Sequence, residues 1–184
     1  MAKHGKRPGK DHAAGERQQG RQERRDALRV RPVPGRPGEI ELVEPPSARQ
    51  RREDLEEVHA MLDGGEIDVA VDELLWLLSG CDVLMEAHKL LGEIALADGD
   101  FQRARGHLGR AYELGLGALE KRSGKVLPYA RPANQPFFEA GKGLAWCLKQ
   151  EGETALALDV VERLLALDPS GPLGLNELRE ELRG

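Results

Sequence analysis

The chain has 184 residues, about the size of one domain with room for a tail. Leu and Ala dominate while Phe, Trp and Tyr total only 4%, which suits closely packed helices better than a β-sandwich, and no run nears the roughly 18 apolar residues of a membrane span. The net charge of -5 hides a division: residues 1–38 hold eleven Lys and Arg against four acids, a surplus of seven positive charges, so the remainder carries a surplus of twelve negative ones.

Residues 1–38 are largely Gly, Gln, Arg, Lys and Pro, with Leu28, Val30 and Val33 as the apolar exceptions. Such a segment buries too little surface to offset the entropy of ordering it, which predicts a disordered basic tail. Its basic start is followed by no apolar core, so it does not read as a secretory signal. Cys81 and Cys147 lack the paired spacing of a zinc or redox site and read as reduced thiols in a cytoplasmic protein. Glu39-Ile40-Glu41-Leu42-Val43 alternates briefly, and residues 39–46 read as an extended linker covering the apolar side of the first helix.

The ordered body, residues 47–184, starts at Pro45-Pro46-Ser47. Ser47 followed three residues later by Gln50 fits a capping box, which predicts a helix to about Asp63 with Leu55, Val58, Met61 and Leu62 on one side. Gly64-Gly65 break it. A second helix from about Glu66 to Ser79 carries Ile67, Ala70, Val71, Leu74, Leu75, Leu77 and Leu78, and Gly80 is placed to end it in the left-handed C-cap.

Residues 83–115 hold the clearest pattern. Leu84, Ala87, Leu90, Leu91, Ile94 and Ala95 form one helical stripe, Asp98-Gly99-Asp100 a turn, and Phe101, Ala104, Leu108, Ala111 and Tyr112 a second stripe. Gly65 precedes Gly99 by 34 residues; Ala70 and Ala104 lie five residues after their glycines, Leu74 and Leu108 nine after. Gly152 follows Gly99 by 53 residues rather than 34, so 19 are inserted, and Ala157 and Val161 keep the same offsets. A last short helix, from Ser170-Gly171-Pro172 through Leu182, has the Glu/Arg-rich outer side of a cap. Gly106 and Gly109 should each cost their helix roughly 1 kcal/mol against alanine, which suggests close packing there or a soft point.

Three in-phase helical hairpins of this length resemble the tetratricopeptide repeat. The resemblance covers about residues 47–170, as repeats at about 50–83, 84–116 and 137–170, with an insert at about 117–135 and a cap at 171–184. The departures are Val58 at the small position held by Gly92 and Ala145, the missing bulky aromatic near the start of each unit, and a closing proline, Pro169, in the third copy only. The resemblance implies an all-α fold: a short right-handed superhelix of three hairpins plus a C-terminal capping helix.

It also implies a ligand groove lined by the first helix of each repeat. By position the groove shows Arg52, Leu55, His59 and Leu62, then Glu86, Lys89, Glu93 and Leu96, then Glu139, Lys142, Trp146 and Lys149. A groove tryptophan is a typical binding hot spot; the competing reading buries Trp146 beneath the C-terminal helix or the insert. Lys89 and Lys142 sit where some family members clamp a C-terminal carboxylate, but His59, Glu93 and Trp146 replace the clamp's asparagines, so a chaperone-tail receptor is set aside.

In the insert, Pro128, Pro132 and Pro136 stiffen the chain, and Asn134 is placed to cap the helix beginning at Gln135. Tyr129 and Arg131 are then either presented at an end of the groove or packed as a spacer on the repeats. His59, His88 and His107 fall on different helices without a metal-binding partner at i+4, and Cys147 sits where a thiol packs as a small hydrophobe. No catalytic residue, cofactor or metal is expected. The leading expectation is a non-enzymatic adaptor holding a peptide or protein in its groove. The alternative is a protein that binds RNA or DNA weakly and non-specifically through the basic tail, which lacks aromatics for base stacking.

Overall fold

Gly65, Gly99 and Gly152 all adopt left-handed backbone, at φ +78°, +75° and +80°, and each closes the turn of a helical hairpin. The computed structural model describes residues 27–119 and 124–184. It is mostly helical. The first hairpin pairs α2 (Arg52–Asp63) with α3 (Ile67–Gly80), preceded by the short α1 (Pro46–Arg49). The second pairs α4 (Met85–Ala97) with α5 (Phe101–Leu119), and the third α6 (Gln135–Gln150) with α7 (Thr154–Leu167). Helix α8 (Leu175–Arg183) closes the C-terminal end, burying Leu175, Leu178 and Leu182.

The in-phase positions are the buried ones. Ala70, Ala104 and Ala157 have no exposed surface, nor have Leu74, Leu108 and Val161 one helical turn on. A small residue followed by a large one lets the second helix of each hairpin approach the first closely and then fill the crossing. Gly92 serves the same contact from the other side: a Cβ there would lie 2.4 Å from Leu108 Cγ. Helix α4 joins two apolar clusters. Ala87, Leu90 and Leu91 pack with the first hairpin, while Met85 and Ala95 belong to the larger core of α5–α8.

Four local expectations are corrected. Ser47 makes no cap; it lies inside α1, Pro45 is the N-cap, and the Ser47 hydroxyl is buried without a partner among the described residues. The first helix is accordingly split, with Gln50 and Arg51 between α1 and α2. Gly80 is not left-handed; α3 ends through extended Cys81, and the missing side chain at Gly80 makes room for Arg51, whose Nη2 lies 2.9 Å from where a Cβ would stand. Asn134 stands at the N-cap position of α6, but its backbone is helical and its side chain makes no capping hydrogen bond.

The fourth correction concerns residues 27–38, expected to be tail. Arg29–Pro32 forms β1, paired antiparallel with β2 (Ile40–Val43) from Arg29 opposite Val43 to Pro32 opposite Ile40. Leu28, Ile40 and Leu42 enter the main core with Leu119, Leu127 and Phe138, and Val33 is buried too. Composition within the segment could not reveal this, because the partners lie some hundred residues away. The expectation for residues 1–26 falls outside the described residues.

The insert is tied to the same hairpin. Ile40 donates its backbone N–H to Val126 O at 2.9 Å, Val126 donates to Gly38 O at 3.0 Å, and Leu127 donates to Leu167 O at 2.8 Å. Asn134, fully buried, accepts from Leu42 N at 2.9 Å and donates to Pro128 O at 2.8 Å. Helix α5 runs to Leu119, as expected for the start of the insert.

Candidate functional site

Along α6 the exposed or half-exposed residues Gln135, Glu139, Lys142, Trp146 and Lys149 recur every three or four positions, while Phe138, Ala140, Leu144, Ala145 and Leu148 face the core. The stripe is legible as a helical period. Trp146 is 43% exposed, which rules out the reading that makes it core. Lys149 is not a free neighbour. Its ammonium lies over the Trp146 ring, 4.9 Å from the centroid, and is hydrogen-bonded to Glu181 of α8. Lys142 is exposed and has no ion pair among the described residues.

One turn toward the N-terminus of α6 the stripe meets α4 at Lys89. Lys89 is 8% exposed, so the expected display of its ammonium to a ligand is corrected. The group lies 3.0 Å from Glu86 Oε1, 3.1 Å from Glu139 Oε2 and 3.8 Å from Glu93 Oε2. Burial alone would lower its pKa; the carboxylates of Glu86, Glu93 and Glu139 outweigh that and raise it, so Lys89 stays charged. The Glu93 pKa is raised as well: burial raises it against the pull of Lys89, with Glu139 and Glu86 adding to the rise. Three carboxylates around one cation leave this patch negative.

His59 of α2 approaches it, with Nε2 3.4 Å from Glu86 Oε1. Tyr129 of the insert donates its hydroxyl to Glu139 Oε1 at 2.9 Å, and its N–H to Asp168 Oδ2 at 2.8 Å. Arg131 lies 3.9 Å from Glu39 and 3.8 Å from Glu41. The described part of the insert is thus pinned at several points, and its Tyr129 reaches Glu139, one of the carboxylates around Lys89.

Beside this cluster opens a hollow of about 750 Å³ between β2, α1, α2, the start of α4 and the start of α6. Arg49, Arg52, His59, Glu86, Arg131 and Pro136 are on its wall. Most of its charges already have partners: Arg52 lies 3.8 Å from Glu44, and Arg31 is bonded to Glu41. Leu55 is buried, and Leu62 and Leu96 are partly so; these expected groove residues serve packing. The structure therefore brings His59, Glu86, Lys89, Glu93, Glu139 and Tyr129 together. It sets Arg52 and Arg131 around the hollow and leaves Lys142 and Trp146 outward beyond it.

Sequence spacing did not find the His88–His107 pair, whose Nδ1 atoms are 3.2 Å apart across α4 and α5. The only signal was a histidine on each of two helices already assigned to one hairpin. Among the described residues no three His, Cys, Asp or Glu side chains are grouped to hold a metal ion. Cys81 and Cys147 are buried and unpaired, and burial pushes the Cys147 thiol up to about 11, away from nucleophilic chemistry. No helix among the described residues is long and apolar enough to cross a membrane. No known protein family matches this chain, and no curated protein matches it.

Proposed function

We propose that the chain is a non-enzymatic adaptor of the tetratricopeptide-repeat type, which holds a peptide or protein segment along the face made by α2, α4 and α6. The observation that carries this reading is Trp146, exposed on the same stripe as Lys142 and Glu139. A large aromatic left in water on a rigid helix, beside a patch of carboxylates and a hollow, has the make-up of a binding anchor. Its partner would supply an apolar or aromatic group for Trp146, an acidic residue for Lys142, and a cation opposite Glu86 and Glu93. The nucleic-acid alternative draws less support from the described part of the tail, where Arg31 is engaged by Glu41.

Partners co-purified with the full chain and identified by mass spectrometry provide the test. Trp146→Ala should weaken binding of a true groove partner by roughly 2 kcal/mol or more, about thirtyfold. The variant's melting temperature should not move, since the side chain is outside the core. Unchanged affinity would overturn the assignment.

A further inference from the structure

The two ends of the helical array are finished differently. At the C-terminal end α8 turns Glu177, Glu180, Glu181 and Arg183 outward, the polar finish that a terminal repeat needs for solubility. At the other end α3 leaves Val69, Leu75 and Trp76 in water, Trp76 at 56% exposure. Taken at 100° per residue, Asp68, Val69, Asp72, Leu75, Trp76 and Ser79 fall on one face of α3, opposite Ala70, Leu74 and Leu77, which pack inward.

Charge is distributed along this face in a directional way. Asp68 and Asp72 occupy its first half. At the second half stands Arg51, with its guanidinium 5.1 Å from the centre of the Trp76 ring and against Gly80. One end of the strip is thus acidic, and the other carries the Arg51 guanidinium, which also pairs with Asp54 at 3.4 Å, with Leu75 and Trp76 between. A surface with that polarity is complementary to itself turned through a half rotation. We propose that α3 is the interface of an isologous homodimer in which two α3 helices pack antiparallel with Leu75 and Trp76 at the two-fold axis and Asp72 of each copy facing Arg51 of the other.

Helix α3 has 14 residues and is about 21 Å long, so the interface falls at the small end of specific contacts and the expected dimer is a reversible one. Trp76 at the centre, covered by an arginine, is the residue type that dominates such interfaces.

Sedimentation velocity of the full chain, over concentrations on the order of 1 to 100 µM, tests the proposal. A reversible monomer–dimer equilibrium is expected. Trp76→Glu should weaken it by at least about tenfold with the circular-dichroism melt unchanged. Asp72→Arg and Arg51→Glu should each weaken self-association, because they set like charges against each other. An equimolar mixture of those two single variants should recover a heterodimer, in which both cross-axis pairs are again opposite in sign. A chain that stays monomeric throughout, its α3 then met by residues 1–26 or by a different protein, overturns the proposal. A dimer indifferent to Trp76→Glu, or a mixture that fails to associate, overturns it as well.

Discussion

His88 Nδ1 lies 3.2 Å from His107 Nδ1, so one of the two nitrogens must be unprotonated for a proton to be shared between them. His88 Nε2 is 3.3 Å from the Asp82 carbonyl. Burial, with smaller contributions from His107 and Arg110, lowers the His88 pKa to about 4 against the pull of Asp82; burial and Arg103 lower that of His107. Both values are depressed below those of the unfolded chain, so the unfolded state binds more protons in the acid range. The stability the pair contributes is complete above the unfolded value near 6.5 and is lost as pH falls toward 4. Denaturant titrations from pH 7 to 4.5 should show wild type losing on the order of 1–2 kcal/mol more than His88→Asn, discounting for the pair's partial exposure. Parallel loss in both would refute it.

Two glycines of the second hairpin, one buried and one exposed, should respond oppositely to the same substitution. Gly92→Ala places a Cβ into Leu108 and should destabilise by about 1–3 kcal/mol despite alanine's better helix propensity. Gly106 has nothing within 4 Å of where a Cβ would stand, so the close-packing explanation of its presence fails. Gly106→Ala should stabilise by about 0.5–1 kcal/mol. Thermal melts of the two variants decide the matter by sign.

Asn134 joins the N-terminal hairpin to the insert. Asn134→Leu keeps the branched shape but leaves Leu42 N and Pro128 O without their partner in a buried site. Each orphaned group costs about 1–3 kcal/mol, and the hairpin should open locally. Trypsin cleavage at the Arg29–Val30 bond, slow in the wild type, should accelerate well before global unfolding.

Lys89 holds three carboxylates together. Lys89→Met removes the central cation while Glu86 and Glu139 remain partly buried, and should destabilise by about 3–5 kcal/mol at neutral pH. Acidification should restore part of this loss, because protonated carboxylates no longer repel; a destabilisation independent of pH between 7 and 4 would contradict the electrostatic account.

The glycines at 65, 99 and 152, and the buried alanines five positions after them, were legible from spacing alone. Turn conformation and helical phase are local properties, fixed by what glycine permits and by which side of a helix is apolar. The outward face of Trp146 was legible in the same way, though spacing left it undecided whether anything covered that face. What only the tertiary structure decided involves partners distant in sequence. Leu28 and Val30 order a segment of low apolar content because the cluster of Leu119, Leu127 and Phe138 is there to receive them. Ser47 and Asn134 carry cap-forming side chains, yet Asn134 is taken by the backbone of β2 instead. Lys89 sits at the right helical position for a groove cation, and carboxylates from its own helix and from α6, fifty residues on, close around it. Local pattern specifies which face of an element is apolar or polar; what meets that face depends on the whole chain's packing.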